Sequence, residues 1–198
     1  MYPQSLKDLI ESFKLLPGIG EKTAERLAFF LVNEDEEKTD FFASSIVNAK
    51  KNIRTCSICN SLTDKEVCDI CSDKLRDNQT LCVVEDPKSI FLFEKVGSFH
   101  GKYHVLDGLI SPLDGVDPDD IGIEKLIKRI KDEKFEEIII AVKPSIEGET
   151  TALYIKKILE GMNIKVTRIA SGIPIGTDIE YIDSMTLERA LMDRKEIN

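Results

Sequence analysis

The chain has 198 residues, 42% of them hydrophobic and 32% charged, with a formal net charge of −9 at pH 7. That length admits one large domain or two to three small ones with at least one self-sufficient core, and the acidic balance argues against a protein that coats nucleic acid through bulk electrostatics. No apolar run approaches the roughly 20 residues of a membrane helix.

The first residues, Met1 to Ser5, lack the basic-then-apolar pattern of a signal peptide. The expected compartment is therefore the cytoplasm, where cysteine pairs signal a metal more often than a disulfide. Residues 1–54 carry eight Lys/Arg against nine Asp/Glu, so the acid excess lies further along the chain. Any contact with DNA is expected near the N-terminus.

In chain order, Leu6, Leu9, Ile10, Phe13 and Leu16 fall at helical spacing and make one apolar stripe. Pro17-Gly18-Ile19-Gly20 ends that helix. A second helix is expected from about Glu21, with Ala24, Leu27, Ala28 and Leu31 inward, and a third carries Phe42, Ile46, Ala49 and Ile53 at helical spacing. Residues 55–76 are cysteine-rich and too poor in large apolar residues to build a core, so something else must staple them. Four strands follow: Leu81–Val84, Tyr103–Leu106, Glu137–Val142 and Ile164–Ile169. Leu81-Cys82-Val83-Val84 is a near-continuous apolar run, as expected of a strand buried on both faces. Asp86 and Pro87 read as a helix N-cap and first helical residue. Helices are expected over about Ile123–Lys131 and Glu149–Glu160, and a Gly-, Pro- and Asp-rich loop over Asp107–Asp120. The alternation of strand and helix predicts a mostly parallel sheet. A last helix is expected from Ser184 to Arg194.

Cys56-Ser57-Ile58-Cys59 and Cys68-Asp69-Ile70-Cys71 are two C-x-x-C knuckles separated by eight residues. Two knuckles can close a tetrahedral shell of four thiolates, which suits zinc. Four protein ligands leave no open position, so such a metal is structural. Cys82 stands apart within a strand and reads as a small core residue.

Leu16-Pro17-Gly18-Ile19-Gly20 between two amphipathic helices has the form of a helix–hairpin–helix. Gly18 and Gly20 let the backbone turn and approach another surface, and the amides opening the second helix offer a phosphate-sized anion site. Lys22 and Arg26, one turn apart, are placed to hold neighbouring DNA phosphates, contacts that position a protein without reading sequence. The alternative is a plain helical turn.

Glu85 closes the first strand, and Glu147-Gly148-Glu149 follows the strongest one. Carboxylates at strand ends of an open α/β sheet lie where such folds bind ligands. Two readings stand side by side: Glu85, Glu147 and Glu149 converge on a magnesium ion, or they are solvated acids, some favouring helix N-termini. His100 and His104 have no serine or cysteine partner and read as structural.

In this order, the elements resemble the RecR family of bacterial recombination mediators. The resemblance rests on Leu16-Pro-Gly-Ile-Gly-Glu-Lys-Thr-Ala-Glu-Arg-Leu-Ala-Phe29, the four cysteines, Val84-Glu85-Asp86, Glu147-Gly148-Glu149, Gly172-Ile-Pro-Ile-Gly176, Glu180-Tyr181 and Thr186-Leu187. It implies an α/β multidomain chain: a helix–hairpin–helix DNA-binding domain (1–54), a four-cysteine zinc finger (55–76), a Toprim domain (77–172) and a C-terminal segment (173–198). It implies a non-enzymatic mediator of recombinational DNA repair that acts with RecO and RecF. Such a protein loads the recombinase at single-stranded gaps and assembles from dimers into a ring-shaped tetramer around DNA. Lys22 and Arg26 match positions implicated in DNA contact, and the acidic Toprim face is implied to meet RecO. The alternative is a metal-dependent Toprim nuclease or nicking enzyme. Against it, Ala141-Val142-Lys143-Pro144 stands where catalytic Toprim enzymes carry Asp-x-Asp. Lys143, Ser171 and Thr177 also depart from the family's expected Asn, Arg and Gly.

Overall fold

The computed structural model describes residues 2–194 and Glu196. Lys195, Ile197 and Asn198 of the expected C-terminal segment lie outside the described residues. The chain divides into two compact units, Met1–Ile53 and Arg54–Asn198.

In the first unit, helix α1 (Gln4–Lys14) and helix α2 (Glu21–Val32) pack through Ile10, Ala24 and Ala28, with Leu6, Leu9, Phe13 and Ile19 around them. The two alanines sit at 0% exposure, and their small size lets the helices approach closely. Helix α3 (Glu36–Asn52) forms as expected. Its apolar stripe does not become core, however. Phe42, Ile46 and Ile53 stay 45%, 57% and 46% exposed, and no residue of α3 is buried. Periodicity identifies an apolar face but not what covers it.

The second unit opens with a two-residue hairpin, β1 (Arg54–Thr55) antiparallel to β2 (Leu62–Thr63), and a single helical turn, α4 (Asp69–Ser72). Then come β3 (Thr80–Val84), α5 (Pro87–Val96), β4 (Lys102–Val105), α6 (Ile123–Glu133), β5 (Glu137–Ala141), α7 (Ile146–Ile158), β6 (Lys165–Arg168) and α8 (Ser184–Met192). The four longer strands form one sheet in the order β4-β3-β5-β6, parallel throughout. Leu81 lies opposite both Lys102 and Ile138, which makes β3 and β5 central and β4 an edge.

Alternate residues of β3 serve opposite faces. Leu81 and Val83 join Leu126, Ile130 and Ile155 on the side of α6 and α7. Cys82 and Val84 join Ile90, Tyr103 and Val105 on the side of α5. Each large side chain fully buried in this way is worth about 1.5–3 kcal/mol relative to exposure.

Asp86 caps α5 as expected, its side chain accepting from Lys88 N at 2.8 Å, with Pro87 in the first turn. Helix α7 begins three residues before the expected Glu149, because Ser145 is its N-cap and accepts from Gly148 N at 3.2 Å. Glu147 and Glu149 are therefore first-turn residues, where a carboxylate favours the positive end of the helix.

Candidate functional site

The four cysteines of the two knuckles come together, with their sulfur atoms all within 4.8 Å of one another. A tetrahedron with Zn–S near 2.3 Å needs sulfurs about 3.8 Å apart, and Cys59 and Cys68 lie 3.6 Å apart. Three of the four are buried. Each knuckle is shaped by its backbone. Cys56 O accepts from Asn60 N at 3.1 Å, and Asn60 takes a left-handed φ of 60°. The sulfurs also accept amide donors, Cys68 N to Cys56 Sγ at 3.3 Å and Cys71 N to Cys68 Sγ at 3.4 Å, which favour thiolate. Crowding splits their acidities. Its hydrogen bond with Cys59 holds Cys68 down as the thiolate, while the same bond pushes Cys59 up and bonds to Cys59 and Cys68 push Cys71 up. Four thiolates in one shell need a divalent cation, and the donor set fits zinc. Among the described residues this is the one cluster of three or more His, Cys, Asp or Glu with metal-ligating reach. Cys82 sits apart in β3, 2% exposed, its thiol pushed up to about 12 by burial.

In the first unit, Gly18 has φ +79°, the left-handed region that favours glycine. Gly20 is the N-cap of α2, with φ −89° and no side-chain cap bond to the first turn. A Cβ at either glycine would meet no atom within 4 Å, so the hairpin tip faces open space. Lys22 and Arg26 are both exposed, and neither makes an ion pair among the described residues. Lys14 differs: bonds to Glu11 and Glu21 at 2.9 and 2.7 Å engage it and raise its pKa. Among the described residues, Lys22 and Arg26 are the cations at this tip that make no ion pair.

The three acids of the sheet are not gathered into one cluster. Glu85 and Glu147 line a cavity of about 510 Å³ with Asp86, Asp114 and Lys143. One oxygen of Glu85 accepts from Lys143 N at 3.2 Å, which ties the ends of β3 and β5. The hydrogen bond from Ser145 comes first, and the Lys143 charge adds to it, in lowering the pKa of Glu147. Glu149 lies in a neighbouring cavity of about 310 Å³, beside Arg168, Ser171 and Arg189. Arg168 Nη1 donates to its two oxygens at 3.1 and 2.8 Å, and Arg189 Nη2 at 2.6 Å. Two guanidinium partners leave that carboxylate poorly placed for a magnesium ion shared with Glu85.

Both histidines lack a nucleophile. His100 is exposed, while His104 is fully buried against Arg129, with Arg129 Nη1 3.4 Å from its Nδ1. Asn60 and Arg129 carry no local signal of their roles, because Asn60 reaches Val105 and Lys125 and Arg129 reaches Tyr103 across tens of residues.

Comparison with known families matches four segments in the same order. The helix–hairpin–helix model of RecR covers residues 6–50, and the model of its four-cysteine zinc finger domain covers 53–73. The Toprim domain model covers 79–170 and the RecR C-terminal model 172–195. The chain belongs to the RecR family. The four cysteines are thus the structural zinc site of a RecR-type finger. RecR-family domains place the protein in recombination and repair. Among the described residues no helix is long and apolar enough to cross a membrane.

Proposed function

We propose that the protein is a non-enzymatic mediator of recombinational DNA repair. It binds the DNA backbone without sequence preference as a ring-shaped clamp. It acts with RecO and RecF to load the recombinase at single-stranded gaps. The observation that carries the DNA contact is the hairpin tip. Gly18 and Gly20 stand in open space before an α2 N-terminus with no side-chain cap, beside the unpaired Lys22 and Arg26. Amides at a helix N-terminus and two flanking cations suit consecutive phosphates.

The Toprim acids support an adaptor role over chemistry. Glu85 is held by a backbone amide, Glu149 by two arginines, and Lys143 stands where a catalytic Toprim enzyme carries an acid. The half-buried acids Glu85, Asp86 and Glu147 at this end of the sheet suit a basic protein surface, the role we assign to RecO. The exposed stripe of α3 gives a homo-oligomer an apolar face to bury.

Fluorescence anisotropy with labelled gapped DNA tests the proposal. Binding is expected to weaken steeply with salt, and the double variant Lys22→Ala/Arg26→Ala to lose it by about tenfold or more, with a shallower salt slope. Unchanged affinity in that variant removes the hairpin from the DNA contact.

A further inference from the structure

Strand β4 is an edge of the sheet, and an edge strand leaves a row of backbone donors and acceptors unpaired. Leu106 N donates to Val84 O at 2.9 Å, so even-numbered residues of this strand face β3 and odd-numbered residues face outward. The outward groups of Val105 are both taken, and by the zinc knuckle. Val105 N donates to Cys59 O at 2.8 Å, and Asn60 Nδ2 donates to Val105 O at 3.2 Å. Further along the same edge, Tyr103 O accepts from Arg129 Nη1 at 2.6 Å. The ammonium of Lys125 in α6 donates to the Asn60 side-chain oxygen, which fixes the amide in the orientation that serves Val105.

Cys59 therefore does two things. Its sulfur belongs to the metal shell, and its carbonyl closes the sheet. The knuckle that presents this carbonyl has no apolar core beyond the cysteines and a few neighbours, so its shape depends on the metal. We infer that the first zinc knuckle is the cover of the β4 edge, and that zinc occupancy sets whether that edge is closed or open to strand pairing.

Amide exchange in the full chain, read by NMR at single residues, tests this. When a strong chelator removes zinc, the Val105 amide is expected to exchange at least about tenfold faster. Leu106, bonded inside the sheet, is expected to change by less than about threefold. Restoring zinc reverses the change. An unaltered Val105, or Val105 and Leu106 accelerating together, overturns the inference, because the edge would then not open separately. A second variant leaves the metal in place. Asn60→Gly retains the left-handed backbone without strain and removes the side-chain clip. It is expected to keep one zinc per chain and to raise Val105 exchange by about threefold to tenfold, the worth of one net hydrogen bond. Parent-like exchange at Val105 in that variant overturns the inference as well.

Discussion

Arg189 of α8 donates to the carboxylate of Glu149 in α7 at 2.6 Å, across 40 positions of sequence. Arg168, at the end of β6, donates to the same carboxylate and lies 3.6 Å from Asp193 just past α8. Because α8 buries no residue of its own, this ionic clasp is a principal tie between the C-terminal helix and the sheet. Glu149 is 39% exposed on its side chain, so the clasp is screened, and exposed pairs contribute about 0.2–1 kcal/mol each.

Glu149→Gln is therefore expected to loosen α8 while leaving the sheet intact. Hydrogen exchange over residues 184–192 should quicken, with little change over 123–133. The clasp also carries a pH signature. The hydrogen bond from Arg189, then the charges of Arg168 and Arg189, lower the Glu149 pKa below its ordinary 4.5. Its contribution is then complete above 4.5 and lost as pH falls through the depressed value. Protection of α8 that is indifferent to Glu149→Gln would show that apolar contacts hold the helix.

Gly148 has a different constraint. A Cβ there would drive into the Lys143 carbonyl oxygen and meet the Val142 side chain at 3.3 Å. Alanine in a helix is worth roughly 1 kcal/mol over glycine, but forcing an atom into a filled backbone site costs about 1–3 kcal/mol or more. The clash is with backbone, so it wins. Gly148→Ala is expected to lower stability by about 1–2 kcal/mol in urea titration. A stabilised variant would mean that the 142–145 turn shifts freely.

The zinc finger gives a larger effect. Metal binding to small zinc modules supplies on the order of 10 kcal/mol of folding free energy. Cys56→Ser is expected to reduce bound zinc from one per chain toward none and to lower the melting temperature sharply. Cys82→Ala, outside the cluster, should keep its zinc and lose only the modest stability of a small core truncation. Elemental analysis beside thermal melts checks both. Full stability of Cys56→Ser without metal would sink the structural role.

How much of this was legible depended on whether a signal was local. The C-x-x-C pairs declare their metal because each knuckle is a few residues long. The strands declare themselves because a parallel sheet buried on both faces needs near-continuous apolar runs, as Leu81–Val84 and Ile138–Ile140 supply. Asp86-Pro87 carries its cap in two residues. The failures are of long range. Glu149 reads as an acid near Glu147, and nothing nearby announces that Arg168 and Arg189 will take it. The stripe of α3 predicts a helix correctly, yet its exposure depends on neighbours outside the helix. Asn60 looks like a turn residue, and its bond to Val105 spans 45 positions.

His104 is fully buried in β4, and its Nε2 has no hydrogen-bond partner among the described residues. Burial first, then the charges of Arg129 and Lys125, push its pKa down to about 3 from an ordinary 6.5. Arg129 has its own counter-ion, Glu133 at 2.7 Å, so the pocket does not welcome a third cation. The folded protein therefore keeps His104 neutral where the unfolded chain protonates it. The unfolded state binds the extra proton below pH 6.5, so stability falls as pH drops from there toward 3. By linkage the loss is on the order of 3 kcal/mol between pH 6.5 and 4. His104→Gln removes the titration, and its stability should decline less over that range. Zinc thiolates also take up protons in acid, so the comparison is the difference between the two proteins at matched zinc content. Parallel stability curves for the parent and His104→Gln would show that this buried imidazole does not set the acid limit of the fold.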